Sequence, residues 1–230
     1  MGWGIMFHEL LIRPIAYIRT DFPTKFGIPR QAGLAEELSG QIIFEPDFRM
    51  EEALRGIEGF SHIWLIWGFS ENDGSWTPTV RPPRLGGNTR MGVFATRSPF
   101  RPNGLGLSCV RLLDVRKEPG LGTILRVGGA DMVDGTPIYD IKPYLPYADS
   151  IPDAKGGFAP DPGRQLQVEI PPELEKKLPE EKRAALFACL KQDPRPRYQD
   201  DPERIYGMSF AGFEIRFQVD GTQLRVVELR

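Results

Sequence analysis

The sequence predicts a mainly β protein, a barrel or sandwich followed by a small unit with one helix, and three observations carry that reading. Short apolar runs with turn residues between them recur at Ile15–Arg19, Gln41–Phe44, His62–Phe69, Met91–Thr96, Leu107–Leu113 and Thr123–Gly128. This spacing fits antiparallel strands rather than alternating βαβ units. Only Pro179–Lys191 has good helical character, and Gly156–Gln165, GGFAPDPGRQ, reads as a linker, so the chain divides into residues 1–155 and 156–230.

Ile15–Arg19 is the first strand, and the segment from Phe22, FPTKFGIPRQAG, is a loop punctuated by glycine and proline. Met50–Gly56 is a short helical turn closed by its glycine. HIWLIWGF, His62–Phe69, is a continuous apolar run, the pattern of a strand buried on both faces. In the second part, Pro179 suits the first helical position, Leu186, Phe187 and Leu190 are the apolar positions, and Asp193-Pro194 stops the helix. A hairpin from Tyr206 to Leu229 turns at Asp220-Gly221, a type I′ signal.

The chain has 230 residues, 40% of them hydrophobic and 26% charged, which is ordinary for a globular protein with a sizeable core. A formal net charge of −2 argues against a generic nucleic-acid coat but leaves room for a local basic site. Cys109 and Cys189 are the only cysteines and His8 and His62 the only histidines. A disulfide framework, zinc chemistry and a Ser-His-Asp triad therefore lack raw material, and a reducing, cytoplasmic compartment is expected, with no metal. The N-terminal MGWGIMFHELLIRP has no basic n-region, and no run approaches the ~20 apolar residues of a membrane span.

Between Gly74 and Leu113 stand six arginines, Arg81, Arg84, Arg90, Arg97, Arg101 and Arg111, with no lysine and no acidic residue. Arginine alone points to planar, bidentate recognition of phosphate or carboxylate, on a loop that prolines stiffen. The bland alternative is a long loop whose arginines cap carbonyls. Three further segments stand out: Pro29-Arg30-Gln31, the run DMVDGTPIYDIKPY from Asp131 to Tyr144, and Asp193-Pro-Arg195-Pro-Arg197-Tyr198. Asp134-Gly135-Thr136-Pro137 alone is an ordinary tight turn, but Asp140, Lys142 and Tyr144 crowd polar groups behind it. Trp64 and Trp67 read as core, and Gly104-Leu105-Gly106 matches no nucleotide-binding fingerprint.

The run RPPRLGGNTRMGVFATRSPFRPNGLGLS, with PRQ before it and DMVDGTPIYDIKPYLPYAD after it, resembles the TsaA-like family, whose bacterial members include tRNA adenine-N6 methyltransferases acting on N6-threonylcarbamoyladenosine. The resemblance extends from about Ile12 through DPRPRY and the terminal hairpin. It implies an antiparallel β-barrel that binds S-adenosylmethionine, a small C-terminal α/β domain, and a homodimer. Carried over residue by residue, it implies a cofactor site of Pro29, Arg30, Gln31, Phe69, Ser70, Arg97, Leu107, Asp134, Gly135, Thr136 and Pro137. Family members often carry histidine where Ser70 falls.

Methyl transfer from a sulfonium needs no metal and no covalent nucleophile, only an aligned acceptor nitrogen and a base for its proton. With histidine nearly absent, Asp134 and Asp140 are the candidate bases, though either could instead bind ribose or hold a loop. Arg81, Arg84, Arg90, Lys142, Arg195, Arg197 and Tyr198 are the expected contacts to a tRNA anticodon loop, by phosphate pairing and stacking. Two alternatives stay open: methylation of another small carboxylated substrate, and a non-catalytic RNA-binding module.

Overall fold

The computed structural model describes residues 10–72, 74–196 and 201–230. The first part contributes β1 (Ala16–Arg19), β2 (Ser39–Phe44), β3 (His62–Gly68), a small ribbon of β4 (Thr79–Val80) and β5 (Met91–Gly92), then β6 (Leu105–Glu118), β7 (Gly122–Gly128) and β8 (Pro137–Pro143). Six of these strands pair antiparallel in the order β1-β2-β7-β6-β3-β8. β8 returns to β1, with Ala16 opposite Ile138 and Tyr17 opposite Pro137. The sheet therefore closes on itself and leaves no unpaired edge among these six strands. Its interior is filled from alternate positions, with Ile18, Ile42, Ile63, Leu65, Val110, Leu125, Val127 and Ile138 all buried together.

Three expectations need correction here. β3 is buried on one face, not two: Ile63, Leu65 and Trp67 point inward, whereas Trp64 points out and donates from Nε1 to Asp149 Oδ2 at 3.1 Å. A closed sheet has a single interior, and the outer side of β3 is partly covered by the segment ending in α1 (Pro146–Asp149). Met91–Thr96 is a strand only as far as Gly92, after which Val93–Ala95 forms one 3₁₀ turn with Val93 buried. β8 lies in the stretch that reads as a polar motif; its terminal prolines and central Asp140 hide the strand alternation, and a bulge places Tyr139 between Ile138 and Asp140 opposite Trp67 and Ile66.

The second part adds β9 (Gln167–Glu169), α2 (Pro172–Glu175), α3 (Glu180–Lys191), β10 (Tyr206–Phe210), β11 (Phe213–Asp220) and β12 (Gln223–Leu229). Its sheet runs β10-β11-β12-β9, with β9 parallel to β12 and the other pairs antiparallel. α3 buries Ala185, Leu186, Cys189 and Leu190 but leaves Phe187 exposed, and Asp193, at φ 51°, turns the chain away from the helix. The expected hairpin is a three-stranded meander. At its second turn only Gly221 has positive φ, at 55°, which is the II′ pattern rather than I′. At its first turn Ala211 and Gly212 both do, at 51° and 82°, so the I′ turn is there.

The two parts share one core. Phe22, Ala35 and Leu38, from the β1–β2 connection, are buried with Leu186, Leu190, Phe210 and Phe217 of the second part. Phe22 meets Phe210 edge-on, ring centroids 5.3 Å apart. Asp21 receives Lys182 Nζ at 2.7 Å on each oxygen, and its carbonyl accepts from Ala211 N at 2.8 Å.

Alanine pays a steric penalty in the left-handed region that asparagine or glycine largely avoids. Ala211→Asn, which creates the Asn-Gly pair favoured in I′ turns, is expected to raise unfolding free energy by about 0.5–1 kcal/mol. Thermal melting checks it, and an unchanged or lowered melting temperature would contradict the turn assignment.

Candidate functional site

One end of the closed sheet, where β1 and β3 finish and β6 and β8 begin, opens into a cleft of about 450 Å³. That volume suits a small-molecule ligand. Its apolar walls include Ile28 and Pro29 from the β1–β2 connection, Trp67 and Phe69 from the end of β3, and Met132. Trp67 and Phe69 meet edge-on at 4.5 Å. Trp67 can fold over the sheet end because its cross-strand neighbour on β6 is Gly106; any Cβ there would collide with the indole.

A polar chain runs behind this wall. Trp67 Nε1 donates to Ser108 Oγ at 3.0 Å, and Ser108 Oγ donates to Asp131 Oδ1 at 2.6 Å. Asp131 lines the cleft. Burial pushes its carboxyl above the usual carboxylate range, only partly offset by Ser108, by backbone N–H groups including that of Ala32, and by the nearby charge of Arg97. Arg97 in turn donates to Gln31 Oε1. The sequence motif contains Asp131, but spacing alone does not separate it from Asp134 three residues on; the signal that separates them is burial, which only the fold supplies.

Of the residues that resemblance assigns to the cofactor, Pro29, Phe69, Ser70 and Thr136 line the cleft, and Arg97 and Gln31 stand together near its carboxylate. The others do not line the cleft, although Asp134, Gly135 and Pro137 adjoin Val133 and Thr136, which do. Asp134 is a staple: Oδ1 accepts from Thr20 N at 2.9 Å, Oδ2 lies 3.4 Å from Arg19 Nη1, and its own N–H bonds Phe22 O. Gly135 sits in that turn at φ 79°, and Pro137 is engaged in β8 opposite Tyr17. Asp140 pairs with Lys142 Nζ at 2.9 Å along β8, and neither lines the cleft. Leu107 is 55% exposed on the outer side of β6, because Gly106 and Ser108 take the inward positions. Arg30 turns away to donate from Nη2 to Arg195 O at 3.1 Å.

The expected RNA contacts are redistributed as well. Arg195 is only 7% exposed, and its guanidinium forks onto Asp193 at 2.9 and 3.1 Å. Its partner is in its own turn, so the fork is not offered to a nucleic acid. Arg84 is tied to the 156–165 stretch through Asp161 O at 2.6 Å. Arg81 and Arg90 remain exposed, Arg90 resting one nitrogen on Thr79 Oγ1 at 2.8 Å. Arg197 and Tyr198 lie outside the described residues. A second hollow, under the β6–β7 turn, is lined by Arg49, Glu51 and Lys117; there Lys117 pairs with Glu51 at 2.6 Å and Arg49 holds Gly120 O, so its polar groups are already engaged. Among the described residues no group of three or more His, Cys, Asp or Glu could hold a metal ion, and no helix is long and apolar enough to cross a membrane.

Two outcomes follow from this geometry. Gly106→Ala displaces Trp67, costs about 1–3 kcal/mol by overpacking, and weakens ligand binding in the cleft; fluorescence-monitored unfolding and ligand calorimetry check both. Arg195→Ala leaves Asp193 without its partner and is expected to lower the melting temperature, whereas an unchanged melting temperature with weakened RNA binding would restore Arg195 as an RNA contact.

A family model described as the tRNA-methyltransferase O N-terminal domain matches residues 17–150, and one described as the TrmO C-terminal domain matches residues 163–230. The chain is 44% identical over 225 residues to the tRNA (adenine(37)-N6)-methyltransferase of Escherichia coli (strain K12), covering 94% of this chain and 95% of that protein. It is 42% identical over 215 residues to a putative S-adenosylmethionine-dependent methyltransferase of Pseudomonas aeruginosa, covering 90% of this chain and 91% of the relative. The crystal structure of TrmO from Pseudomonas aeruginosa superposes with a TM-score of 0.78 at 34% identity, covering 97% of this chain and all of that one. The two family models cover both parts of the fold, the relatives match over nearly the whole length, and the chain belongs to the tRNA-methyltransferase O family.

Proposed function

We propose that the chain transfers a methyl group from S-adenosylmethionine to N6 of an adenosine in the anticodon loop of tRNA, with N6-threonylcarbamoyladenosine next to the anticodon as the acceptor. The single observation that carries the chemistry is the largely apolar, aromatic cleft holding one raised-pKa carboxylate, Asp131, beside an arginine-rich segment free of acids. The relatives named for this activity and for this cofactor match across both parts of the chain.

The cleft fits the cofactor on chemical grounds. A sulfonium nucleoside is a cation with a large apolar body, and Trp67, Phe69 and Phe100 offer ring surfaces next to the half-buried carboxyl of Asp131. Lys25 and Glu71, both at the cleft, offer opposite charges to the carboxylate and ammonium of an amino-acid tail. When bound, S-adenosylmethionine supplies an electrophilic methyl carbon. The chain's part is to align the acceptor nitrogen behind that carbon and to take its proton. Asp131 is the better base than Asp134 or Asp140 because it alone of the three faces the cleft and because burial raises its basicity. In this reading Arg97, held by Gln31 with its charge felt at Asp131, grips the acceptor's carboxylate. The closed sheet acts in this reading as the antiparallel β-barrel of a cytoplasmic enzyme. A homodimer completes it: Leu107, on the outside, reaches a cofactor only across a subunit boundary, which sedimentation tests.

Mass spectrometry of nucleosides, after incubating tRNA with the protein and S-adenosylmethionine, tests the function; the expected product is threonylcarbamoyladenosine carrying one added methyl group, and no methylated nucleoside would sink the proposal. Asp131→Asn is expected to cut the single-turnover rate by roughly 10²–10⁴-fold. Asp134→Asn keeps the Thr20 hydrogen bond and should change the rate far less. The wild-type rate should fall as pH drops through the raised pKa of Asp131, since only the ionised form accepts a proton. The sign for folding is opposite: a raised carboxyl pKa favours the folded state at low pH, and that contribution is lost as pH rises through the folded-state value. Asp131→Asn should remove both dependences.

A further inference from the structure

The excursion between β3 and β6 carries more than its arginines. Trp76 is 51% exposed, Phe94 76% and Phe100 47%, while Val93 beside them is buried. Three large aromatic rings on one excursion are expensive to leave in water unless something covers them. They are also held near one another: Thr77 N bonds Phe100 O at 3.3 Å, Val93 N bonds Pro78 O at 3.0 Å, and β4 pairs with β5 between them.

The backbone beneath these rings is stiff. Arg101 Nη1 folds back onto Thr96 O at 3.0 Å and Ser98 O at 3.3 Å, Thr96 Oγ1 donates to Val93 O at 2.8 Å, and Asn72 Nδ2 clamps Pro99 O at 2.7 Å. Burying Val93 turns the next side chain, Phe94, out to solvent. Phe100 stands at the border of the cleft. Arg81, Arg90 and Arg97 are exposed on this excursion, and residues 74 to 113 contain no carboxylate; Glu71 stands before them at the cleft, and Asp161 is taken up by Arg84.

We propose that Trp76, Phe94 and Phe100 form a stacking platform for unpaired bases of a single-stranded RNA loop, with Arg81 and Arg90 on its phosphates and Phe100 next to the base that enters the cleft. The occupant follows from charge complementarity: exposed π-faces on a stretch whose own charges are all arginine match a polyanion whose bases are unstacked. A duplex hides those faces, and an ordinary protein partner would meet uncompensated positive charge. The proposal rests on the tRNA reading above and names the surface that reading lacks, since Arg195 is enclosed and Arg84 is engaged by Asp161.

The test uses the full chain and a fluorescently labelled RNA hairpin with a seven-nucleotide loop, roughly anticodon-sized, followed by anisotropy. Trp76→Ala and Phe94→Ala should each weaken binding by roughly 5- to 100-fold, with the salt slope unchanged, because stacking releases no counterions. Trp76→Phe should restore most of the affinity. Arg81→Ala should weaken binding and lower the log–log salt slope by about 0.7. S-adenosylmethionine affinity by calorimetry should hold in the Trp76 and Phe94 variants, since neither residue lines the cleft. Should the folded double variant, Trp76→Ala with Phe94→Ala, bind the hairpin as the wild type does while the wild type methylates tRNA, the platform is overturned and the enzymatic reading survives. The same holds if the double variant instead loses self-association, which would make the rings a protein interface. A wild type that neither binds nor methylates tRNA overturns both.

Discussion

The connection between β1 and β2 works from both sides, and the remaining architecture depends on it. One side delivers Phe22, Ala35 and Leu38 into the core of the second part; the other delivers Ile28 and Pro29 to the cleft and Ala32 N–H to Asp131. A glycine- and proline-rich stretch has little regular structure with which to hold a ligand wall. Here it is held by apolar burial at its ends, by Asp21 with Lys182, by Leu34 O accepting from Gln192, and by Arg30 against Arg195 O. The C-terminal unit is thereby a support for the cleft as well as an appendage to it. Removing such a support exposes aromatic core on both parts and loosens the wall, so stability and binding are coupled through one segment.

The arginines divide by what surrounds them. Arg101 caps carbonyls of its own turn and Arg84 those of the 156–165 stretch, the structural use that a planar fork with five donors allows. Arg97 reaches Gln31 and feels Asp131, so its charge is set against the cleft. Arg81 and Arg90 face water. One acid-free stretch thus builds the loop, polarises the site and presents a cationic surface. The uniformity of charge follows from the last two uses, because a carboxylate within the stretch would pair off the guanidiniums first.

The polar chain behind the cleft depends on a small steric fact. Gly106 lets the indole of Trp67 lie across the sheet end, which brings its N–H to Ser108, and Ser108 then orders Asp131. Each polar atom of the chain is satisfied by the next, so a carboxylate can persist in partial burial with raised basicity instead of being expelled to water.

Alternating apolar runs, turn residues, the break near residue 156 and the single strong helix are local properties, and they make the mainly β character, the strand positions of β1, β2, β6 and β7, and α3 legible in the sequence. The motifs PRQ, the arginine run and DMVDGTP identify the family and the neighbourhood of the site for the same reason: each is a contiguous string. Which aspartate of that neighbourhood faces the cleft, which arginine is enclosed, and whether His62–Gly68 is covered on one side or two are not local properties. Asp131 and Asp134 differ by three positions in the chain but by closure of β8 onto β1 in space, which turns one inward and leaves the other to staple Thr20. Arg195 looks like a surface fork in DPRPRY until a left-handed Asp193 folds back to meet it. Burial and pairing arise only when distant segments meet, so the elements and the family are written in contiguous strings, whereas the closure of the sheet with the docking of the β1–β2 connection decided which side chains face the cleft.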